Sequence, residues 1–413
     1  MRDYGRRLTA YDGDRKYVRA IFRLYDDKDA DSAESIKKFR RLYILIGELR
    51  GKIMNKIVKR ILISAGAILG AIILIVGGYV IYVVASYSRI EDNLALTPEG
   101  SGSVEIATGE EYTVVTQNLG FGAYTADFTF FMDGGKESRA RSADSVKACV
   151  KAGAEKVKSF DPDFAFFQEV DTGSTRSFKI DEREIVKEYF GGFSSSFAVN
   201  YHSAYLFYPI FEPHGASNSG MLTFSKATIA SATRRSLPIS TGFSKFLDLD
   251  RCYSVSRVPV VGGKELVLVN VHLSAYGGSD EIRAAQMNMV LGEIQSEYDK
   301  GNYCVVGGDF NHDFTGDSTQ KLNGGEEVDF GWAMPFPAEM MESYPAAVRA
   351  VDYSDGLKPT CRNCDVPYKE GNFTIIVDGF LTSKNVEITY LDNVVTGFAY
   401  SDHNPVVMKF RLA

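Results

Sequence analysis

Between Ile61 and Ser88 the chain carries no charged residue. A bilayer-crossing helix needs about 20 mostly apolar residues, and soluble helices rarely stay uncharged for so long. The run Ile61-Leu62-Ile63 through Ile72-Ile73-Leu74-Ile75-Val76 to Val83-Val84 is therefore expected to be a transmembrane helix over 61–88. Tyr79, Tyr82 and Tyr87 sit towards one end, as an interfacial aromatic belt would. Lys52, Lys56, Lys59 and Arg60 flank the amino side. Residues 1–60 hold 17 Lys/Arg against 9 Asp/Glu, a net charge of +8, whereas residues 61–413 carry −15. The positive-inside rule puts the basic head in the cytoplasm and the acidic body outside a cell membrane crossed once.

Two features bear on processing. Val83-Val84-Ala85 resembles the small-residue pattern before a signal-peptidase site, and cleavage after Ala85 would secrete the body. The apolar run exceeds a usual signal core, so an uncleaved anchor is expected. Met54-Asn-Lys-Ile-Val-Lys-Arg reads as the charged start of a signal anchor, which would make residues 1–53 an upstream extension. If present, Tyr17 to Leu49 reads as charged, partly amphipathic helix near an anionic leaflet.

Residues 89–110 are expected to be a linker, and 111–413 a single domain. Short apolar runs predict strands at Glu111–Asn118, Phe164–Val170, Met221–Ser225, Cys252–Val261, Glu265–Val271, Tyr303–Gly307, Phe373–Asp378 and Val406–Leu412. Helical spacing predicts helices over Asp144–Phe160 and Glu281–Tyr298. Gly262-Gly263 marks a hairpin turn. Strands mixed with a few helices argue an α/β fold of packed sheets covered by helices. Leu322 to Lys369, with five prolines, reads as a long loop, either functional or disordered.

Almost every apolar strand stops at an acid, an amide or a histidine: Asn118, Glu169, Asn270 and His272, Asp309 and Asn311, Asp378, and Asp402-His403 before the last strand. Buried carboxylates are costly unless paired or metal-bound, so their recurrence at strand ends points to one shared cleft. Such a cluster suits phosphoester hydrolysis. Mg²⁺ takes one or two carboxylates plus waters and substrate phosphate, which Glu169 and Asn118 can serve. Asp309 can orient or deprotonate a water. His403, held by Asp378, can donate to phosphate oxygens.

The ordered motifs Gln117-Asn118, Gln168-Glu169-Val170, Asn270-Val-His272-Leu, Gly307-Gly308-Asp309-Phe-Asn311, Val377-Asp378-Gly and Ser401-Asp402-His403-Asn-Pro resemble the endonuclease/exonuclease/phosphatase superfamily over about residues 111–413. The resemblance implies a four-layered α/β sandwich with two packed mixed sheets flanked by helices, here preceded by one transmembrane helix. It implies a metal site at Asn118 and Glu169, with Asp402 near a second metal position, occupied by Mg²⁺ or by Mn²⁺ in its place. It implies that Asp309 activates water, that Asn311 places water or phosphate, and that Asp378 orients His403. His272 is similar to the second phosphate-facing histidine of the deoxyribonuclease and sphingomyelinase branches. Gly379 departs from the usual pattern after the aspartate, and is expected to open the floor of the site.

The expected enzyme is a membrane-anchored, Mg-dependent phosphoester hydrolase, first of all a phosphodiesterase or endonuclease. Its substrate class is a nucleic acid, a phospholipid headgroup or a small phosphoester, and no obligate protein partner is expected. The body's negative charge weighs against tight non-specific duplex binding. A sphingomyelinase-like lipid phosphodiesterase gains from the anchor. An inositol-phosphate phosphatase would want clustered cations, and Arg139, Arg141, Arg257 and Arg362 are scattered in sequence. A non-catalytic binding module would have lost Glu169, Asp309 or His403, and all are present. Phe121 to Arg141 reads more as a solvated loop than as a cleft wall. Tyr201-His202 and Glu212-Pro-His214-Gly, between the second and third motifs, are candidate substrate contacts, and His202 and His214 read as structural rather than catalytic. Cys361-Arg-Asn-Cys364 lacks the second pair a zinc site needs, and reads as structural or as a small disulfide.

Overall fold

The computed structural model describes residues 32–413 apart from 243–244, 246–249, 276–278, 326–331, 333 and 352–355. The expected helix at Tyr17–Leu49 therefore lies partly outside the described residues, as does part of the loop expected at Leu322–Lys369. Helix α1 (Ser32–Ser86), most of which forms the amino-terminal unit ending at Tyr82, includes a stretch long and apolar enough to cross a membrane. Ile61, Leu62, Ile73, Leu74 and Ile75 all point outward from it, exposed. The helix starts well before the expected 61 and ends two residues before 88.

The second unit holds two large sheets. The strands are β1 (Leu94–Leu96), β2 (Glu111–Asn118), β3 (Phe164–Asp171), β4 (Ser194–His202), β5 (Asn218–Ser225), β6 (Ser231–Ser236), β7 (Cys252–Val260), β8 (Lys264–His272) and β9 (Tyr303–Asp309). They continue with β10 (His312–Asp313), β11 (Met334–Pro335), β12 (Ala347–Arg349), β13 (Cys361–Arg362), β14 (Thr374–Ile375), β15 (Asp378–Ser383), β16 (Val386–Asn393) and β17 (Val406–Leu412). The helices are α2 (Ala143–Lys158), α3 (Glu182–Tyr189), α4 (Asp280–Asp299) and the short α5 (Ser318–Leu322). One sheet has the order β1-β6-β7-β8-β9-β15-β12, the other β16-β17-β2-β3-β5-β4.

Each large sheet contains one parallel pair, β8 with β9 and β2 with β3, among antiparallel neighbours. A parallel pair needs a crossover, and a helix supplies it in both cases: α4 for β8–β9 and α2 for β2–β3. Those helices cover the outer faces. In β8, Leu266 and Leu268 join the core between the sheets while Val267, Val269 and Val271 pack in the layer that holds α4. In β2, Val114 faces inward and Val115 packs in the layer that holds α2. Two buried faces explain why these strands read as almost continuous apolar runs. The result is helix, sheet, sheet, helix, the expected four-layered α/β sandwich.

Three expectations are corrected. Residues 89–110 are not a free spacer: β1 pairs with β6, Glu99 with Ser195, and Ile106 with Val260. Ile106 is buried in the core between the sheets, so removing the segment would uncover apolar surface. The strand expected at Phe373–Asp378 is split. Thr374–Ile375 pairs with β13, and Asp378 begins β15 rather than ending a strand, because β15 runs antiparallel to β9. Within Leu322–Lys369 the described residues hold β11, β12, β13 and a 3₁₀ turn at Ala338–Ser343, so this stretch is largely built rather than loose.

Candidate active site

The two parallel pairs deliver their carboxyl ends to one place. On the inward parity of β2, β8 and β9 lie Asn118, His272 and Asp309, each the last residue of its strand. Asp378 meets them from the opposite direction, because the antiparallel register pairs it with Asp309. Asp402 and His403 precede β17, the antiparallel neighbour of β2.

Glu169 needs a different device. Strict alternation from Phe164 and Phe166, which face the inner core, would turn residue 169 towards the helices. The register of β3 against β5 instead shifts between Phe167 and Val170, and Glu169 has φ +53°. This bulge restores Val170 to the helix-facing core and swings Glu169 round to the pocket. Bulges re-aim side chains, and positive φ in a non-glycine residue clusters at functional sites. Asn311 has φ +49° in the turn after β9, a conformation that asparagine tolerates well.

Gly308 is required by close approach. A Cβ there would sit 2.1 Å from the Val271 carbonyl oxygen, and φ is +143°. Only glycine lets β9 lie this close to β8 and bring Asp309 beside His272. Gly379 was expected to open the floor; its open side is filled by the Phe314 ring, 2.8 Å from where a Cβ would be. It belongs to packing on the far face of β15.

The pocket has a volume of about 350 Å³, and its walls include Glu169, His272, Asp309, Asn311, Asp402 and His403. Asn118 and Asp378 stand behind them. Asn118 Nδ2 donates to Asp309 Oδ2 at 3.0 Å and to Glu169 Oε1 at 3.3 Å. Asp309 Oδ1 accepts from the Asn311 backbone N at 2.9 Å, and Asn311 Nδ2 donates to the Leu273 carbonyl at 2.9 Å. Asp309 Oδ2 lies 3.6 Å from His272 Nε2 and 3.8 Å from His403 Nε2. His403 Nδ1 is 2.7 Å from Asp378 Oδ2. The Ser401 hydroxyl donates to the Asn118 carbonyl at 2.7 Å and accepts from the His403 backbone N at 3.1 Å, tying the turn before β17 to the end of β2. All eight residues expected from the sequence are thus brought together.

The electrostatics divide the two histidines. Burial, with Arg251, His403 and Arg176 nearby, pushes His272 well below 6.5, so it is neutral. Burial also works against a charged His403, but Asp378, Cys361, Asp309 and Asp402 overcome it and push the group well above 6.5. Burial pushes Asp309 up to about 7 against the pull of His403, helped by Asp378 and Glu169. Burial also raises Asp402 to about 7, opposed by His403 and reinforced by Glu169. Asp309, Asp378 and His403 also offer ligand atoms within 4.8 Å of one another, but Asp378 and His403 are already bonded to each other. The Glu169 carboxylate raises both Asp309 and Asp402, and hard oxygen donors crowded in this way fit a divalent cation.

Several pocket residues carried no readable signal. Arg176 is buried, donates to Asp171 through Nε at 3.0 Å and Nη2 at 2.9 Å, and lies over the Phe121 ring at 4.0 Å. Asn200, Arg251 and Trp332 also line the pocket, as does Tyr201, which the sequence marks as a candidate substrate contact. Arg362 does too, but its Nη2 is committed to the Thr125 and Phe128 carbonyls, both at 3.1 Å. Arg139, Arg141 and Arg257 pair with Glu212, with Asp127 and Glu137, and with Glu265 and Glu297. The Phe121–Arg141 segment, read as a solvated loop, supplies Phe121, Tyr124, Phe130, Met132 and Asp133 to the wall.

His214 is in the wall, packed against Phe121, Phe130 and Phe131 with Nδ1 2.7 Å from the Ser138 carbonyl. His202 lies outside it, 2.5 Å from Asp250. Cys361 and Cys364 are free, buried thiols rather than a disulfide. Cys361 Sγ lies 3.5 Å from His403 Nε2, a contact no spacing rule would suggest. Asn270, part of a motif, is not in the pocket; it accepts from Gln168 Nε2 at 2.7 Å and joins the two sheets.

A model of the endonuclease/exonuclease/phosphatase family matches residues 115–403. Comparison with curated proteins gives no match. Among solved structures, similarity is found to an endonuclease/exonuclease/phosphatase from Beutenbergia cavernae at 16% identity, covering 73% of this chain and 72% of that one, with a TM-score of 0.46. One from Bacteroides vulgatus matches at 14% identity over 74% of this chain and all of its own, TM-score 0.47. The human Nocturnin catalytic domain with bound sulfate matches at 15% identity over 77% and 98%, TM-score 0.46. By the span of the matched model, from β2 through His403, the chain is a member of the endonuclease/exonuclease/phosphatase family and has the fold of a phosphoester hydrolase.

Proposed function

We propose that the chain is a membrane-anchored, extracytoplasmic, metal-dependent phosphodiesterase of the endonuclease type. The observation that carries this reading is the convergence of Asp309, His272 and the His403–Asp378 pair beside Glu169 and Asn118 in one pocket. Asp309, fixed by the Asn311 backbone N–H, accepts a proton from the attacking water as its oxygen bonds to phosphorus. The bond from phosphorus to the leaving oxygen breaks on the opposite side. His403, held protonated by Asp378, donates Nε2–H to a phosphoryl oxygen and meets the charge that develops there. Neutral His272 donates a second hydrogen bond. Glu169 and Asn118, with Asp402 beside them, would hold Mg²⁺ or Mn²⁺, which neutralises phosphate charge and stabilises the leaving oxygen when bound.

A lipid phosphodiesterase is the second reading, favoured by the apolar helix α1. The phosphomonoesterase reading is weakened because Arg176 and Arg362 are engaged by Asp171 and by backbone carbonyls. The test is a substrate panel on the full chain in detergent micelles with Mg²⁺: single-stranded and duplex DNA, RNA, sphingomyelin and an inositol polyphosphate. Preferred cleavage of a nucleic acid is expected. Preference for sphingomyelin would select the second reading, and phosphate release from inositol polyphosphate alone would overturn both.

A further inference from the structure

Between β4 and β5 the chain makes an excursion, residues 203–217, at the rim of the pocket. Its neck is pinned by paired backbone hydrogen bonds, Leu206 N to the Gly215 carbonyl at 3.1 Å and the reverse at 3.0 Å. Its base supplies His214 to the pocket wall, and β4 and β5 supply Asn200, Tyr201 and Ser219. The tip reads Tyr205-Leu-Phe-Tyr-Pro-Ile-Phe211, seven residues without a charge. Phe207 is 56% exposed, Tyr208 67%, Ile210 78% and Phe211 fully. Exposed Met132 joins them on the same rim. Single exposed apolar residues are ordinary, but a contiguous projecting cluster marks a contact surface.

The root of this excursion is held by residues 88–90, which follow the apolar run in the chain. Ser88 Oγ is 3.4 Å from His202 Nε2, and His202 is the residue before the excursion begins. Arg89 donates to the Leu237 carbonyl and Ile90 N to Asp250 Oδ1 at 3.0 Å, while Asp250 Oδ2 is 2.5 Å from His202 Nδ1. Only Ala85 to Tyr87 separate the last valine of the apolar run from this attachment, a reach of about 10–14 Å at full extension. Chain connectivity alone therefore keeps His202 within that reach of the end of the apolar run. The tip also has the composition of an interfacial segment, aromatic with an aliphatic apex. A nucleic-acid rim would want cations among its aromatics, and residues 203–211 contain none.

We infer that the 205–211 tip inserts into the outer leaflet of the membrane crossed by α1, holding the pocket mouth at headgroup level. This rests on the reading of 61–88 as a membrane anchor. The five native cysteines are buried, so single introduced cysteines can be labelled selectively. Full-length Phe211→Cys, Ile210→Cys, Ile72→Cys and Tyr390→Cys would each carry an environment-sensitive fluorophore in phosphatidylcholine/phosphatidylglycerol vesicles. Tyr390 lies on β16, at the opposite edge of its sheet from β4. With doxyl-labelled lipid added, emission at 72, 210 and 211 is expected to fall while that at 390 holds. Quenching at 72 alone overturns the insertion and leaves the anchor standing. Quenching at none of them overturns both. A change at 210 and 211 on adding a single-stranded oligonucleotide, with none from lipid, overturns the inference in favour of a base-stacking rim. Hydrolysis of bis(p-nitrophenyl) phosphate by the same preparations reports on the pocket separately.

Discussion

On the pocket floor, Asp309 is almost completely buried and has Asn118, Asn311, His272 and His403 around its two oxygens. At the rim, Phe211 is fully exposed, with Ile210 and Phe207 projecting beside it. Each floor group is fixed by partners from several strands, so removing one leaves the others buried and unsatisfied. The rim side chains give the folded domain little and would act only when another surface is present. A change at the floor should therefore register in stability and rate alike, and a change at the tip should be silent until a membrane is offered.

The largest effect should come from Arg176, whose removal leaves Asp171 buried without its counter-charge. Arg176→Met is expected to cost about 3–5 kcal/mol in chemical denaturation, against near silence for a surface arginine such as Arg411. His403→Ala should leave a folded domain and lower hydrolysis of a soluble phosphodiester by about a thousandfold. A floor that tolerated either change would not be the interlocked network described.

Acid should find a third weak point. Burial, with Arg176 nearby, holds His214 down to about 4 from 6.5, so the folded domain keeps it neutral. Between pH 6.5 and 4 the unfolded chain takes up a proton that the folded one refuses, so stability falls as pH falls through that window. The loss is about 3 kcal/mol, and His214→Phe should flatten the slope in urea titrations across that range. The smallest effect belongs to the rim: Ile210→Ser with Phe211→Ser should change stability by less than about 0.5 kcal/mol in detergent. A large loss there would mean that the tip packs on the domain rather than facing outward.

Much of the floor was legible because strand-end polar residues stand out against apolar runs. Asn118, His272 and Asp309 follow from the period of two: each lies in phase with inward residues of its own strand. Glu169 does not, since alternation alone points it at the helices, and only the bulge corrects this. Asp378 was placed at the wrong end of its strand because direction within a sheet leaves no local mark. Arg176 was invisible and Cys361 reads only as structural or disulfide-forming, since a buried ion pair or a thiol beside a histidine depends on contacts far apart in the chain. The segment 89–110 was misread because Gly, Ser and Pro composition imitates a linker, while its attachment rests on β1 pairing with β6 and on one buried isoleucine.

The central claim is that this pocket performs metal-assisted phosphodiester hydrolysis with Asp309 as the group that takes the proton from water. The most direct measurement is bis(p-nitrophenyl) phosphate hydrolysis by the full chain and by Asp309→Asn, with Mg²⁺ and with chelator. The account predicts Mg²⁺-dependent turnover that chelator abolishes and that Asp309→Asn lowers by about a thousandfold without unfolding the domain. Turnover in folded Asp309→Asn equal to that of the unmodified chain, or turnover indifferent to chelator, would contradict it.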